Sequence, residues 1–177
     1  MTTGPARVSA FPPILGRRPW LLILGSLPGI ASLRAGEYYA HPRNAFWPIM
    51  SALFDAPLDQ PYARRTAALH AAGVAVWDVL AEATRPGSGD AAIDAATAQV
   101  HDIRGLLLRR SSITTIAFNG TTAHRLFVRL VSPTLPASRA TNLDYLLLPS
   151  TSPAHAALTP AAKLRRWRIL LAARPRG

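Results

Sequence analysis

Short apolar runs alternate with stretches of helical periodicity along this chain. The run at 20–24 reads as a buried strand. Beyond a loop, Phe46, Ile49, Met50, Leu53 and Phe54 recur at helical spacing. Pro48 falls in the first turn of that helix, where its missing N–H costs little. Residues 62–72 form a second helical stretch that stops at Gly73, followed by a second strand at 74–77. Pro86, Gly87 and Gly89 make 85–90 a loop. A helix is expected at 101–110 and a third strand at 113–118. Asn119-Gly120 ends that strand, and 121–130 continues as a helix. A fourth strand is expected at 145–148. The last helix opens with Thr159 as N-cap and Pro160 in the first helical position, and runs to about residue 173. Residues 1–18, rich in Pro and Arg, are expected to be a loosely packed arm ahead of a single domain over 19–177.

Strands that alternate with helices imply an α/β fold. The expected architecture is a three-layer α/β/α sandwich with a central four-stranded, mainly parallel sheet. Ligands of such sheets bind at the carboxyl ends of the strands. Four segments should therefore line one site: 25–29, Asp78 with the loop beyond it, Asn119-Gly120, and 149–155.

Composition narrows the chemistry. The chain has 177 residues and no cysteine, which excludes disulfides, thiolate metal sites and a cysteine nucleophile. The five histidines are scattered without metal-ligand spacing, so neither metal nor organic cofactor is expected. No apolar run is long enough to span a bilayer, and no stretch of signal-peptide type opens the chain; a cytoplasmic monomer is expected, nucleoid-associated if bacterial. Twenty Lys and Arg against nine Asp and Glu leave a formal net charge of +11. A polyanionic partner fits that excess, and nucleic acid is the commonest one. After Asp144 no acid remains, whereas Lys163, Arg165, Arg166, Arg168, Arg174 and Arg176 follow. These cations make either a DNA-facing surface or a solvated helix face.

The residues of the four segments leave several roles open. Gly25, Pro28 and Gly29 make a tight turn in which backbone can approach a ligand closely, with Ser26 and Leu27 between them. Asn44 is a favoured residue for capping the helix behind it. Asn119 presents a donor and an acceptor on one amide, yet Asn-Gly is also ordinary turn chemistry. Asp78 has the chemistry to bond a base or to brace the loop carrying Arg85, and Arg85 can pair with Asp90. Tyr39 is suited to stack on a flat heterocycle or to fill a loop, and His41 to fix its own loop by hydrogen bonding.

Taken in order, the segments resemble the uracil-DNA glycosylase superfamily, with the closer likeness to its hypoxanthine-DNA (deoxyinosine) glycosylase branch. The residues that carry the likeness are Gly25-Ser26-Leu27-Pro28-Gly29, then Tyr38-Tyr39-Ala40-His41-Pro42-Arg43-Asn44-Ala45-Phe46-Trp47. Trp77-Asp78-Val79 with Arg85, Gly87, Ser88 and Asp90, then Phe118-Asn119-Gly120, and Leu148-Pro149-Ser150-Thr151-Ser152-Pro153-Ala154 complete it. The likeness extends over roughly 20–170.

The resemblance implies a monofunctional glycosylase that flips a deaminated base out of DNA and hydrolyses its N-glycosidic bond, with hypoxanthine favoured and uracil or xanthine as alternatives. Related uracil glycosylases carry a catalytic Asp or Asn in the first turn, where this chain has Leu27. The resemblance passes the catalytic role to Asn44. A neutral amide is a poor base, but it can hold a water and stabilise developing charge. Gly25, Ser26, Leu27, Tyr39, Phe46, Asp78 and Asn119 are the implied base contacts. Ser150, Thr151, Ser152, Pro153 and His155 are the implied DNA contacts, with His155 where relatives would have Asn. The single lysine, Lys163, is expected on the terminal helix away from the site, which argues against a Schiff-base enzyme that also cuts the strand. Two other readings stay open: an α/β enzyme of free nucleotides or nucleosides, and a non-catalytic nucleic-acid binder that keeps the fold.

Overall fold

The computed structural model describes residues 7–175. In chain order its strands are β1 (Arg7–Ser9), β2 (Leu21–Gly25), β3 (Val74–Asp78), β4 (Leu80–Thr84), β5 (Gln99–Val100), β6 (Thr115–Asn119) and β7 (Asp144–Leu148). The helices are α1 (Ile30–Ala35), α2 (Phe46–Phe54), α3 (Tyr62–Ala72), α4 (Ile103–Arg109), α5 (Thr121–Leu130), α6 (Ala137–Ala140), α7 (Pro160–Trp167) and α8 (Ile169–Ala172).

The central sheet has four parallel strands in the order β3-β2-β6-β7. Every residue of β2 and β3 is buried, which is why these strands read as unbroken apolar runs rather than alternating ones. β7 lies at the edge and exposes Tyr145 and Leu147. From β2 the chain crosses to β3 on one side, and from β6 it crosses to β7 on the other. The crevice therefore opens at the carboxyl ends of β2 and β6, where the crossovers diverge.

The expected helices over 46–54, 62–72 and 121–130 form with those bounds. Gly73 ends α3 at φ 71°, where any side chain would be strained and would press on Trp20. α4 starts later than expected because Asp102 caps it, accepting the Gly105 N–H at 2.8 Å. His101 is left outside the helix and stacks on Trp77. The last helix is interrupted at Arg168. Trp167 and Leu170 are buried as the apolar stripe requires, but Leu171 is exposed.

The segment before β2 departs most from expectation. Its described part, from Arg7, is packed rather than loose. β1 pairs antiparallel with β4, and Glu82 on β4 receives Arg7. Ile14 exchanges two backbone hydrogen bonds with Val76, and Val8 and Ile14 are buried. Residues 1–6 of the expected arm lie outside the described residues. A small antiparallel sheet, β1-β4-β5, thus stands beside the main one. Among the described residues no helix is long and apolar enough to cross a membrane.

Candidate active site

A cleft of about 700 Å³ lies at the carboxyl ends of the central strands. It gathers all four segments singled out by strand order: Gly25–Gly29, Asp78, Asn119 and Ser150–His155. Tyr39, His41, Arg43 and Asn44 from the α1–α2 loop close it from one side, and Ser88, Gly89 and Asp90 from another.

The first turn is held from behind. Arg85 is 1% exposed and gives its guanidinium N–H groups to the carbonyls of Leu27, Pro28 and Gly87. It does not pair with Asp90. Asp90 accepts the Ser26 hydroxyl at 2.7 Å instead, and Ser88 Oγ accepts the Ile30 N–H at the start of α1. The 85–90 loop is thus a clamp on the 25–30 turn. Leu27 is buried in the wall of the cleft and brings no proton-transfer group to it.

Asn44 sits one residue before the N-cap position, which Ala45 occupies. Its Oδ1 accepts the Phe46 N–H at 3.0 Å, so the side chain still serves the start of α2. That bond fixes which amide atom faces the helix and leaves Nδ2 without a protein partner among the described residues. A turn keeps Asn44 in place: its N–H bonds the His41 carbonyl at 2.8 Å, and His41 Nδ1 accepts the Arg43 N–H.

Tyr39 lies in the left-handed region at φ 56°, a conformation uncommon for a bulky residue. Its ring stacks at 3.9 Å on Phe46. Phe46 itself is fully buried and does not line the cleft, so it is not placed for the expected base contact and instead backs the Tyr39 ring. Asp78 is 3% exposed, and its Oδ2 has no hydrogen-bond partner. Burial, with the Asp90 charge second, pushes its carboxyl up to about 7, against a smaller pull from Arg85. The Tyr39 hydroxyl is likewise buried and unpartnered. A methyl group on Gly25 would sit 2.3 Å from Asp78 Oδ1 and 2.9 Å from the Tyr39 hydroxyl. Only glycine allows the three to converge.

Asn119 and Thr151 are committed to each other. Asn119 Oδ1 accepts the Thr151 N–H at 2.8 Å and Nδ2 donates to Thr151 Oγ1 at 2.9 Å. Asn119 therefore has one N–H left for a ligand rather than a whole amide edge. Thr151 is fully buried and has no free face for phosphate, unlike its neighbours Ser150, Ser152, Pro153 and His155. The Thr151 carbonyl takes the Ala45 N–H, which joins this loop to the Asn44 turn. Lys163 corrects a further expectation. It lies against the site loop, not away from it: Nζ donates to the Ser152 carbonyl at 2.8 Å, and the residue is 3% exposed. Trp167 Nε1 bonds the Pro149 carbonyl beside it. The sequence pattern around α7 carried no sign of this, since a lysine on a basic helix reads as solvated.

The family model for the uracil DNA glycosylase superfamily matches residues 12–171. The chain belongs to that superfamily. As a DNA glycosylase, it acts on DNA and hydrolyses N-glycosidic bonds. It is similar to a protein of Methanosarcina acetivorans named hypoxanthine DNA glycosylase, at 31% identity over 82% of this chain and 86% of that protein. A second protein of that name, from Methanosarcina barkeri, is 38% identical over 47% of this chain and 53% of its own length. A solution NMR structure from Methanosarcina acetivorans, assigned to the uracil DNA glycosylases, superposes with a TM-score of 0.74 at 28% identity. It covers 94% of this glycosylase and 99% of that chain. Among the described residues no group of three or more His, Cys, Asp or Glu is placed to hold a metal ion.

Proposed function

We propose that this DNA glycosylase removes deaminated bases, hypoxanthine first, and that Asn44 orients the attacking water. The observation that carries this reading is the pairing of Leu27 with Asn44. The turn has no polar side chain at the position of Leu27, while Asn44 lines the same cleft with Nδ2 uncommitted. Both relatives described above bear the name hypoxanthine DNA glycosylase.

In this reading the nucleotide is turned out of the duplex and the base enters over Gly25, beside the ring of Tyr39. The C1′–N bond loosens before water attacks, so the sugar gains oxocarbenium character. A weakly activated water then suffices, and an amide can hold it. Ser150, Ser152, Pro153 and His155 face the DNA around the vacated stack, with Thr151 acting from within the loop. The glycosylase is monofunctional, because its one lysine is tied to the Ser152 carbonyl. It works as a monomer in the cytoplasm, without metal or cofactor.

The test is a panel of oligonucleotides carrying hypoxanthine, uracil or xanthine, treated with the protein and then with alkali to cut abasic sites. Hypoxanthine is expected to be released fastest, and cutting is expected only after alkali. Faster release of uracil than of hypoxanthine would overturn the substrate assignment. Trapping of a protein–DNA adduct by borohydride would overturn the monofunctional one. Release from free deoxyinosine but not from DNA would favour an enzyme of nucleosides.

A further inference from the structure

We propose that the Tyr39 hydroxyl and the Asp78 carboxyl form an oxyanion hole for the exocyclic oxygen of the extruded base. This rests on the reading above, that a deaminated base enters the cleft over Gly25.

Two residues that meet over Gly25 each carry a buried polar atom without a partner, the Tyr39 hydroxyl and Asp78 Oδ2. Burying an unsatisfied hydroxyl or carboxyl costs free energy, so natural proteins rarely leave such groups side by side unless something is to fill them. Both residues line the cleft, and Asp78 Oδ1 and the Tyr39 hydroxyl converge on the position where Gly25 lacks a side chain, with the unpartnered Oδ2 on the far side of the same carboxyl. Neither is used by the neighbouring loops. Asp90 is taken by Ser26 and Arg85 by backbone carbonyls, while Asn119 is bonded to Thr151 and keeps one N–H.

The charged and titratable groups around Asp78 favour its neutral form. Asp90 raises its pKa, Arg85 lowers it by less, and burial outweighs both, leaving the carboxyl near half-protonated at about 7. Burial first, then the Asp78 charge, also raise the Tyr39 phenol well above its usual range against a smaller pull from the Asn119 amide, so it stays a donor. The Tyr38 hydroxyl points elsewhere, to the Phe11 carbonyl. His101 meets only the main-chain carbonyl of Asp78. A hydroxyl and a protonated carboxyl are therefore two donors held at the buried floor of the cleft, an arrangement suited to a developing anion.

The chemistry of departure needs such a hole. As the C1′–N9 bond of deoxyinosine breaks, its electron pair leaves on the base and the charge spreads to O6. Tyr39 and Asp78 bond that oxygen and keep their protons. The water that adds to C1′ gives up a proton, and one proton returns to the base, so only water is consumed. The same two donors face the oxygen that deamination installs and oppose the amine of adenine or cytosine, which brings hydrogens of its own. Guanine and thymine also carry an oxygen, and their rejection falls to the rest of the cleft.

The experiment is single-turnover release of hypoxanthine from a duplex between pH 6 and pH 8.5, for wild type, Tyr39→Phe and Asp78→Asn. Wild-type release is expected to fall toward tenfold per pH unit above about 7. Asp78→Asn keeps a donor that does not titrate, so it should lose that alkaline limb. Tyr39→Phe should keep the limb and be slower by about 100-fold, the usual loss for one such donor. An alkaline limb unchanged in Asp78→Asn, or release at the wild-type rate by Tyr39→Phe, overturns the proposal. Failure of the wild type to release hypoxanthine would instead overturn the functional reading beneath it.

Discussion

Asp78 shows how a single side chain links the site to stability. Its folded pKa, about 7, lies above the ordinary 3.8. The folded protein keeps this proton over a range where the unfolded chain has lost it. Stability from this group is thus full below pH 4, falls as pH rises toward 7, and is level above. An amide at this position carries no such penalty. Asp78→Asn is expected to gain on wild type across that window, by up to roughly 4 kcal/mol. Urea denaturation at pH 4.5 and 7.5 measures it; an equal difference at both pH values would show that the carboxyl is ionised when buried. Asn44 and Leu27 were legible from sequence because they occupy motif positions. The buried state of Thr151 and Phe46 was not, because a Ser/Thr-rich loop and a helix-start Phe do not say which neighbour covers them. Likewise, Arg85 and Asp90 are close in sequence, yet each finds a partner on the 25–30 turn.

At the scale of elements, apolar runs and helical periods located all four strands of the main sheet and most helices. The small antiparallel sheet escaped because β1 and β5 are only three and two residues long, and β4 (Leu80–Thr84), with Glu82 and Thr84 in it, is not the unbroken apolar run that marks the main-sheet strands. Such short stretches lack the period that marks longer ones. α1, six residues after a glycine turn, escaped for the same reason. The site loop depends on α7 in a way no pattern announced. Lys163 and Trp167, one helical turn apart, hold the carbonyls of Ser152 and Pro149. Lys163→Met leaves the Ser152 carbonyl without its charged donor. It is expected to cost about 1–2 kcal/mol in a urea melt at unchanged m-value and to weaken binding to abasic duplex. Unaltered affinity for the abasic duplex would mean that the loop holds its shape without this tether.

Across the whole molecule, one cleft collects what the strand order distributes. The first turn, the α1–α2 loop, the end of β6 and the 149–155 loop are far apart in sequence and meet at the carboxyl ends of parallel strands. The net charge of +11 suits a DNA partner, and Arg43 stands exposed at the rim of the cleft. Within that frame the central claim is that water activation has moved from the turn at Leu27 to Asn44. Single-turnover release of hypoxanthine by Asn44→Ala, alongside its affinity for the same duplex, tests this most directly. Truncation removes a capping bond worth about 1 kcal/mol, too little to unfold the protein. Binding is expected to stay close to wild type and base release to slow by at least about 100-fold, the scale of one lost transition-state contact. Release by Asn44→Ala at near the wild-type rate would contradict it.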